Sequence, residues 1–131
     1  MRLASVLVSG CVAGGLIFAS AVAHTISVQK TAASGAQAFA ACRACHTLHK
    51  GEANGLGPNL FGLFGRRAGA TTGFAYSPAL KASKLIWSEA ALSEFLASPP
   101  RKVPDTRMPV AVPDPAKRAV LIAYLKGETS K

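Results

Sequence analysis

The most specific chemistry in the chain belongs to five consecutive residues, Cys42-Arg43-Ala44-Cys45-His46. Two thiols three positions apart, with a histidine directly after them, match the pattern for covalent attachment of a c-type haem. On one helical turn, residues i and i+3 present both sulfurs to one side, where they can form thioethers to the two vinyl groups of a porphyrin. The next imidazole can then ligate iron, for which neutral imidazole is a good ligand. Other uses of these residues fit less well. A thioredoxin-like redox pair wants a βαβ context, and nothing here alternates strand with helix. A structural zinc site needs four ligands, usually as two separated pairs. Cys42, Cys45, His46 and His49 crowd into one short stretch, and the remaining thiol is Cys11.

Iron bound by one histidine keeps an open face for gas, peroxide or substrate, and a second protein ligand closes it for electron transfer. Beyond Met1 the chain has a single methionine, Met108, in Asp105-Thr106-Arg107-Met108-Pro109. A methionine in a proline-rich loop is by itself more often packing than ligand. Placed well downstream of a haem motif, with helices between, Met108 becomes the candidate second ligand.

The 131 residues make one domain plus an extension. After Met1-Arg2 an apolar run extends from Leu3 to Ala23 and ends in Ala21-Val22-Ala23. A short basic start, an apolar middle and an A-x-A end describe a secretory signal over residues 1–23, cut after Ala23. At roughly 20 residues the run also suffices to cross a bilayer as an uncleaved anchor, so membrane association through residues 3–23 stays open. Gly10, Gly14 and Gly15 weaken it as a helix. Val8-Ser9-Gly10-Cys11 resembles a lipoprotein processing box, but few apolar residues precede it. Each reading exports the rest of the chain, which points to the periplasm. There the thiols escape the reducing cytoplasm and are consumed by thioethers.

Fifteen basic and six acidic residues give a formal charge of +9. Loss of the leader removes only Arg2 and leaves 14 − 6 = +8. The charges form no block, so the field is diffuse. In an exported protein it suits an acidic protein partner or an anionic membrane surface rather than nucleic acid.

Several short elements must position the motif. Residues 24–33 lack periodicity and read as a linker. Ser34, with Gln37 three residues on, marks an N-cap and capping box for a helix that carries Phe39 into the motif. From Thr47 to Thr72 the glycines at 51, 55, 57, 62, 65 and 69 indicate an ordered loop. So long a loop in a compact domain needs an organiser other than secondary structure. Haem can be that organiser. Ser77 and Pro78 start a short helix. Ser88 caps a helix over 89–97, with Trp87 and Leu92 as a hydrophobic staple and Leu92, Phe95 and Leu96 as its buried stripe. Pro99 and Pro100 stop it. Asp114, Pro115 and a closing Gly127 bound the last helix, whose apolar face is Val120, Leu121, Tyr124 and Leu125. The expectation is an all-α domain over residues 34–131, four to five short helices wrapped around a covalent haem.

In this order of blocks the chain resembles a class I cytochrome c, of the branch shared by mitochondrial cytochrome c and its α-proteobacterial periplasmic relatives. The resemblance runs from Gly35 to Lys126. It rests on Gly35 with Phe39, on the Cys42 to His46 motif, and on Gly57-Pro58-Asn59-Leu60-Phe61-Gly62-Leu63-Phe64-Gly65-Arg66. Tyr76, Trp87, Thr106-x-Met108 and Leu121-Ile122-Ala123-Tyr124-Leu125-Lys126 complete it. It implies one haem c held through Cys42 and Cys45, with His46 and Met108 as axial ligands. It also implies that the Pro58 carbonyl fixes the His46 ring, and that Tyr76, Trp87 and Arg66 hold the inner propionate. Thr106 belongs to the cofactor-binding set beside Met108. Gly35 and Phe39 would pack against Leu121 and Tyr124 where the terminal helices cross.

Some positions depart from the family. Phe95 stands where a tyrosine is usual, Leu80 replaces a common asparagine, Val110 a phenylalanine and Asn54 a histidine. These concern tuning rather than activity. The implied function is a monomeric electron carrier, not an enzyme, passing single electrons between respiratory or photosynthetic complexes as iron cycles Fe(II)/Fe(III). Its donor would be a quinol–cytochrome c reductase and its acceptor a terminal oxidase or similar complex. A basic rim including Arg43, Lys50, Arg107 and Lys102 would meet their acidic docking surfaces. Competing readings are a c-type haem subunit permanently docked on a membrane oxidoreductase, and a haem peroxidase or gas-binding protein.

Overall fold

A computed structural model describes residues 34–130. The expected leader (1–23) and linker (24–33) lie outside the described residues. Residues 34–39 are helical (α1) and lead into a 3-10 turn, Cys42–Ala44. Four helices follow: α2 Pro78–Ala82, α3 Glu89–Ala97, α4 Pro99–Lys102 and α5 Pro115–Glu128. Among the described residues the only extended pairing is an isolated antiparallel bridge between Arg67 and Ile86. None of the described helices is long and apolar enough to cross a membrane.

Local capping chemistry explains most helix starts. The Ser77 hydroxyl accepts from the Leu80 amide, the Ser88 hydroxyl from the Ala91 amide, and the Asp114 carboxylate from the amides of Ala116 and Lys117. Each cap satisfies donors that the first turn leaves without partners. Three details differ from the sequence reading. Ser34 is itself helical, so it lies inside α1 and is not its cap. Pro99 and Pro100 end α3 but also open α4, because proline's fixed φ and missing N–H suit a first turn. Gly127 does not end α5, which continues to Glu128. The buried Thr129 closes α5 instead. Its amide and hydroxyl both donate to the Leu125 carbonyl, and its own carbonyl accepts from Gly62. That tertiary bond outweighs glycine's preference for a helix end.

The terminal helices meet at Gly35. A Cβ there would sit 2.4 Å from Cβ of Tyr124, so only glycine allows the approach. Phe39 stacks obliquely on Tyr124, ring centroids 5.9 Å apart, and is 1% exposed, as is Leu121. Ile122, absent from the expected apolar face of α5, is also buried. The α3 helix packs on α5, with Leu92, Phe95 and Leu96 inward and the Phe95 ring edge-on to Trp87 at 5.2 Å. On its outer side, Glu89 pairs with Lys126 and Glu94 with Lys102.

The glycine-rich loop is held by side chains. Buried Asn59 donates to the carbonyls of His49 and Glu52 and accepts from the Phe61 amide. Asn54 accepts from the Asn59 amide and donates to the Thr72 carbonyl. The Glu52 carboxylate accepts from the amides of His49 and Leu48, at 2.8 and 3.0 Å. The His49 amide is the main cause holding Glu52 below its ordinary value of 4.5. A carboxyl depressed by folding stabilises the native state above its unfolded value, and that contribution fades as pH falls through the folded one. Glu52→Gln should therefore lower the melting temperature at pH 7 and approach the native protein's as pH drops below 4.5. Melting curves at both pH values check this. A pH-independent difference would contradict it.

Candidate haem-binding site

These elements enclose one cavity of about 470 Å³, within the range of roughly 300–1,000 Å³ usual for cofactor sites. Its deep wall is apolar, built from side chains such as Leu63, Leu80, Leu92, Phe95 and Leu121. All nine expected site residues line it: Cys42, Cys45, His46, Pro58, Arg66, Tyr76, Trp87, Thr106 and Met108. Five separate stretches of chain thus converge on one space.

The motif is delivered by α1 and the 3-10 turn, whose closing bonds run from the amides of Cys45 and His46 to the Cys42 carbonyl. Both thiols are unpaired. Burial, and then the neighbouring Cys45, push the Cys42 thiol above its ordinary value. The His46 Nδ1 lies 2.8 Å from the Pro58 carbonyl and donates to it, leaving Nε2 as the nitrogen with a free lone pair. Burial pushes the imidazole below its usual value, against the opposing pull of the Pro58 carbonyl. Burial, the larger of the two effects, favours a neutral ring, the form that ligates metal.

Gly57 makes room for that ring. A Cβ on Gly57 would sit 2.4 Å from Cε1 and 2.8 Å from Nε2 of His46. The backbone lies flat against the imidazole, which its Pro58 carbonyl then orients. On the polar side, Arg66 donates to the carbonyls of Phe61 and Asn59, at 2.6 and 3.2 Å. Burial lowers its guanidinium from the ordinary value while Tyr76 opposes the shift. The Thr106 hydroxyl accepts from the Met108 amide at 3.4 Å. Two thiols on the wall, a neutral imidazole, a thioether and an apolar interior with cationic and hydroxyl groups at its margin suit an iron porphyrin.

No family model matches the chain. It is 43% identical over 111 residues to cytochrome c2 of Blastochloris viridis, covering 84% of this chain and 87% of that one. Cytochrome c of Sesamum indicum is 46% identical over 90 residues, 68% of this chain and 81% of the relative. Among solved structures, cytochrome cH from Methylobacterium extorquens superposes with a TM-score of 0.68 at 48% identity, covering 73% of this chain and 97% of that one. This chain belongs to the class I cytochromes c. It is a mono-haem electron carrier whose one haem c is attached through Cys42 and Cys45. Its similarity to the c2 and cH forms favours the carrier over the docked-subunit reading.

Several contributors to the cytochrome's site were not anticipated. Asn59 was only part of a matching block, yet it is the buried hydrogen-bonding centre of the loop that supplies Pro58. Leu56, 84% exposed, lines the cavity and adds apolar surface to that of Val110, 49% exposed, which the family resemblance already places at the haem edge. Of the expected basic rim, Arg107 lines the cavity and Arg43 lies over the Phe39 ring, whereas Lys102 is committed to Glu94. Gly57→Ala should displace the His46 ring and cost about 1–3 kcal/mol of stability, the usual penalty for overpacking. The thioethers should survive. Thermal unfolding and the visible spectrum of the haem-loaded variant test this, and an unchanged pair would contradict the close fit at Gly57.

Proposed function

We propose that this cytochrome shuttles single electrons in the periplasm with His46 and Met108 as the axial ligands of its iron. The observation that carries the ligand assignment is the His46–Pro58 hydrogen bond, which leaves Nε2 as the nitrogen that could ligate iron, in a cavity that Met108 also lines. The haem, when bound, supplies one-electron exchange between Fe(II) and Fe(III). The chain's task is then to keep that exchange clean. The Pro58 carbonyl fixes the imidazole and raises its basicity as a ligand. The thioether of Met108 would hold the iron from its own segment, which would leave no position for substrate and set the chain apart from an enzyme. The apolar wall excludes water, so little solvent reorganises when the charge changes. Arg66, Tyr76 and Trp87 offer the propionate a cation and hydrogen-bond donors, with Thr106 holding the Met108 backbone.

Charge placement supports the choice of partner. All six acidic residues of the chain fall among the described residues, and none lines the cavity. Glu89 and Glu94 pair with lysines, Asp114 caps α5 and Glu52 holds two amides. Arg66 and Arg107 do line it, and Arg43 and Lys50 are exposed on the stretch around the motif. Such a basic face, with Leu56 and Val110 for close apolar contact, suits acidic docking surfaces on a quinol–cytochrome c reductase and on a terminal oxidase or photosynthetic complex. The apolar run of residues 3–23 and the use of both mature thiols for thioethers support export to the periplasm.

Two measurements test this reading. Met108→Ala should keep the covalent haem but change the native visible spectrum, whereas an unchanged spectrum would remove Met108 from the iron and revive the gas-binding or peroxidase reading. Electron-transfer rates with purified reductase should fall by about tenfold or more as ionic strength rises from about 0.01 to about 0.15 M. A rate indifferent to salt would contradict steering by the basic face.

A further inference from the structure

The segment that carries Met108 is firmly held at its ends and loosely between them. At one end the Val103 amide donates to Pro99 at 2.9 Å; at the other, the Val112 amide donates to Leu96 at 2.7 Å. Arg118 reinforces the second end, donating to the carbonyls of Val112 and Pro113 and to the Ser93 hydroxyl. Inside the segment the bonds are local: Thr106 amide to Val103 carbonyl at 3.2 Å, and Met108 amide to Thr106 hydroxyl at 3.4 Å. Asp105 adopts φ +64°, the left-handed region that costs most side chains energy and aspartate less. Local preferences therefore do little to hold Met108 where it is.

Among the described residues one hydrogen bond ties positions 104–111 to a remote part of the chain. Arg107 Nη1 donates to the Ala75 carbonyl at 3.2 Å, across 32 residues of sequence. Both residues are exposed and both line the cavity, so they stand at its rim. Their neighbours Met108 and Tyr76 line it too. The bond joins two edges of the opening.

We propose that Arg107 is a positioning residue, a latch that ties the Met108 segment to Ala75 across the rim and thereby slows departure of Met108 from the iron. This rests on Met108 being the second ligand. Arginine suits the task because its guanidinium offers several donors in a fixed fork. The acceptor is a backbone carbonyl, so the latch needs no particular side chain at position 75. The role is separate from steering, which requires only the charge.

The test is stopped-flow binding of imidazole to the oxidised, haem-loaded protein, with amide hydrogen exchange at Thr106 and Met108, the two hydrogen-bonded amides of the segment, as a second readout. Arg107→Ala should speed imidazole binding about three- to tenfold, the effect of losing one modest hydrogen bond, and should speed exchange at both amides. Arg107→Lys, which keeps a donor, should recover part of the difference. Arg101→Ala removes an equal charge from exposed α4 and should stay within about twofold of the native protein. Met108→Ala should bind imidazole faster than any of these, and adding Arg107→Ala to it should change nothing further. Equal rates in Arg107→Ala and Arg101→Ala, with Met108→Ala still fast, would overturn the latch and leave the ligand assignment standing. A Met108→Ala protein no faster than native would overturn the ligand assignment itself.

Discussion

The fit of the His46 ring against the Gly57–Pro58 backbone is the contact on which the rest depends. The ring needs a carbonyl on Nδ1 to fix its tautomer and direction. It also needs a bare Cα at Gly57, where a methyl would overlap the imidazole. These demands fall on a stretch with no helix or strand to stiffen it. Asn59, Asn54 and Glu52 meet that need by binding backbone groups across the loop, and Arg66 clamps its far side through Asn59 and Phe61. The loop's polar side chains are spent on its own backbone. The helices then close around it, with Gly35 against Tyr124 joining the first to the last.

That economy extends to charge. Glu52, Glu89, Glu94 and Asp114 are engaged in ion pairs, caps or amide contacts, and no carboxylate lines the cavity. Arg66 and Arg107 do line it, with Arg43 and Lys50 exposed beside the attachment motif. The face bearing the cavity keeps cations and exposed apolar side chains, a combination suited to fast encounter followed by brief, close contact. Arg107 serves there twice in the proposed scheme, as part of the basic field and as the tie between the Met108 segment and Ala75.

Features set by neighbouring residues were legible in the sequence. The attachment motif and the caps at Ser77, Ser88 and Asp114 all depend on contacts within a few positions, which spacing reveals. The family resemblance added the long-range set of cavity residues, whose convergence no local pattern contains. What escaped was decided by tertiary contacts. Gly127 looks like a helix end, but Thr129 is held by Gly62, distant in sequence, and the helix runs on. Lys102 looks like a docking cation until folding brings it to Glu94. Asn59 and Arg107 act through partners distant in sequence or on an irregular loop, where periodicity carries no information.

Electron transfer by this chain requires a single haem bound covalently through Cys42 and Cys45. Intact-mass measurement of the native protein, denatured and stripped of non-covalent ligands, addresses it directly. The expected species carries the added mass of one haem, and its chain mass also reports whether residues 1–23 have been removed. A mature chain with no added mass, or one whose haem is released on denaturation, would contradict the covalent attachment and the electron-carrier reading built on it.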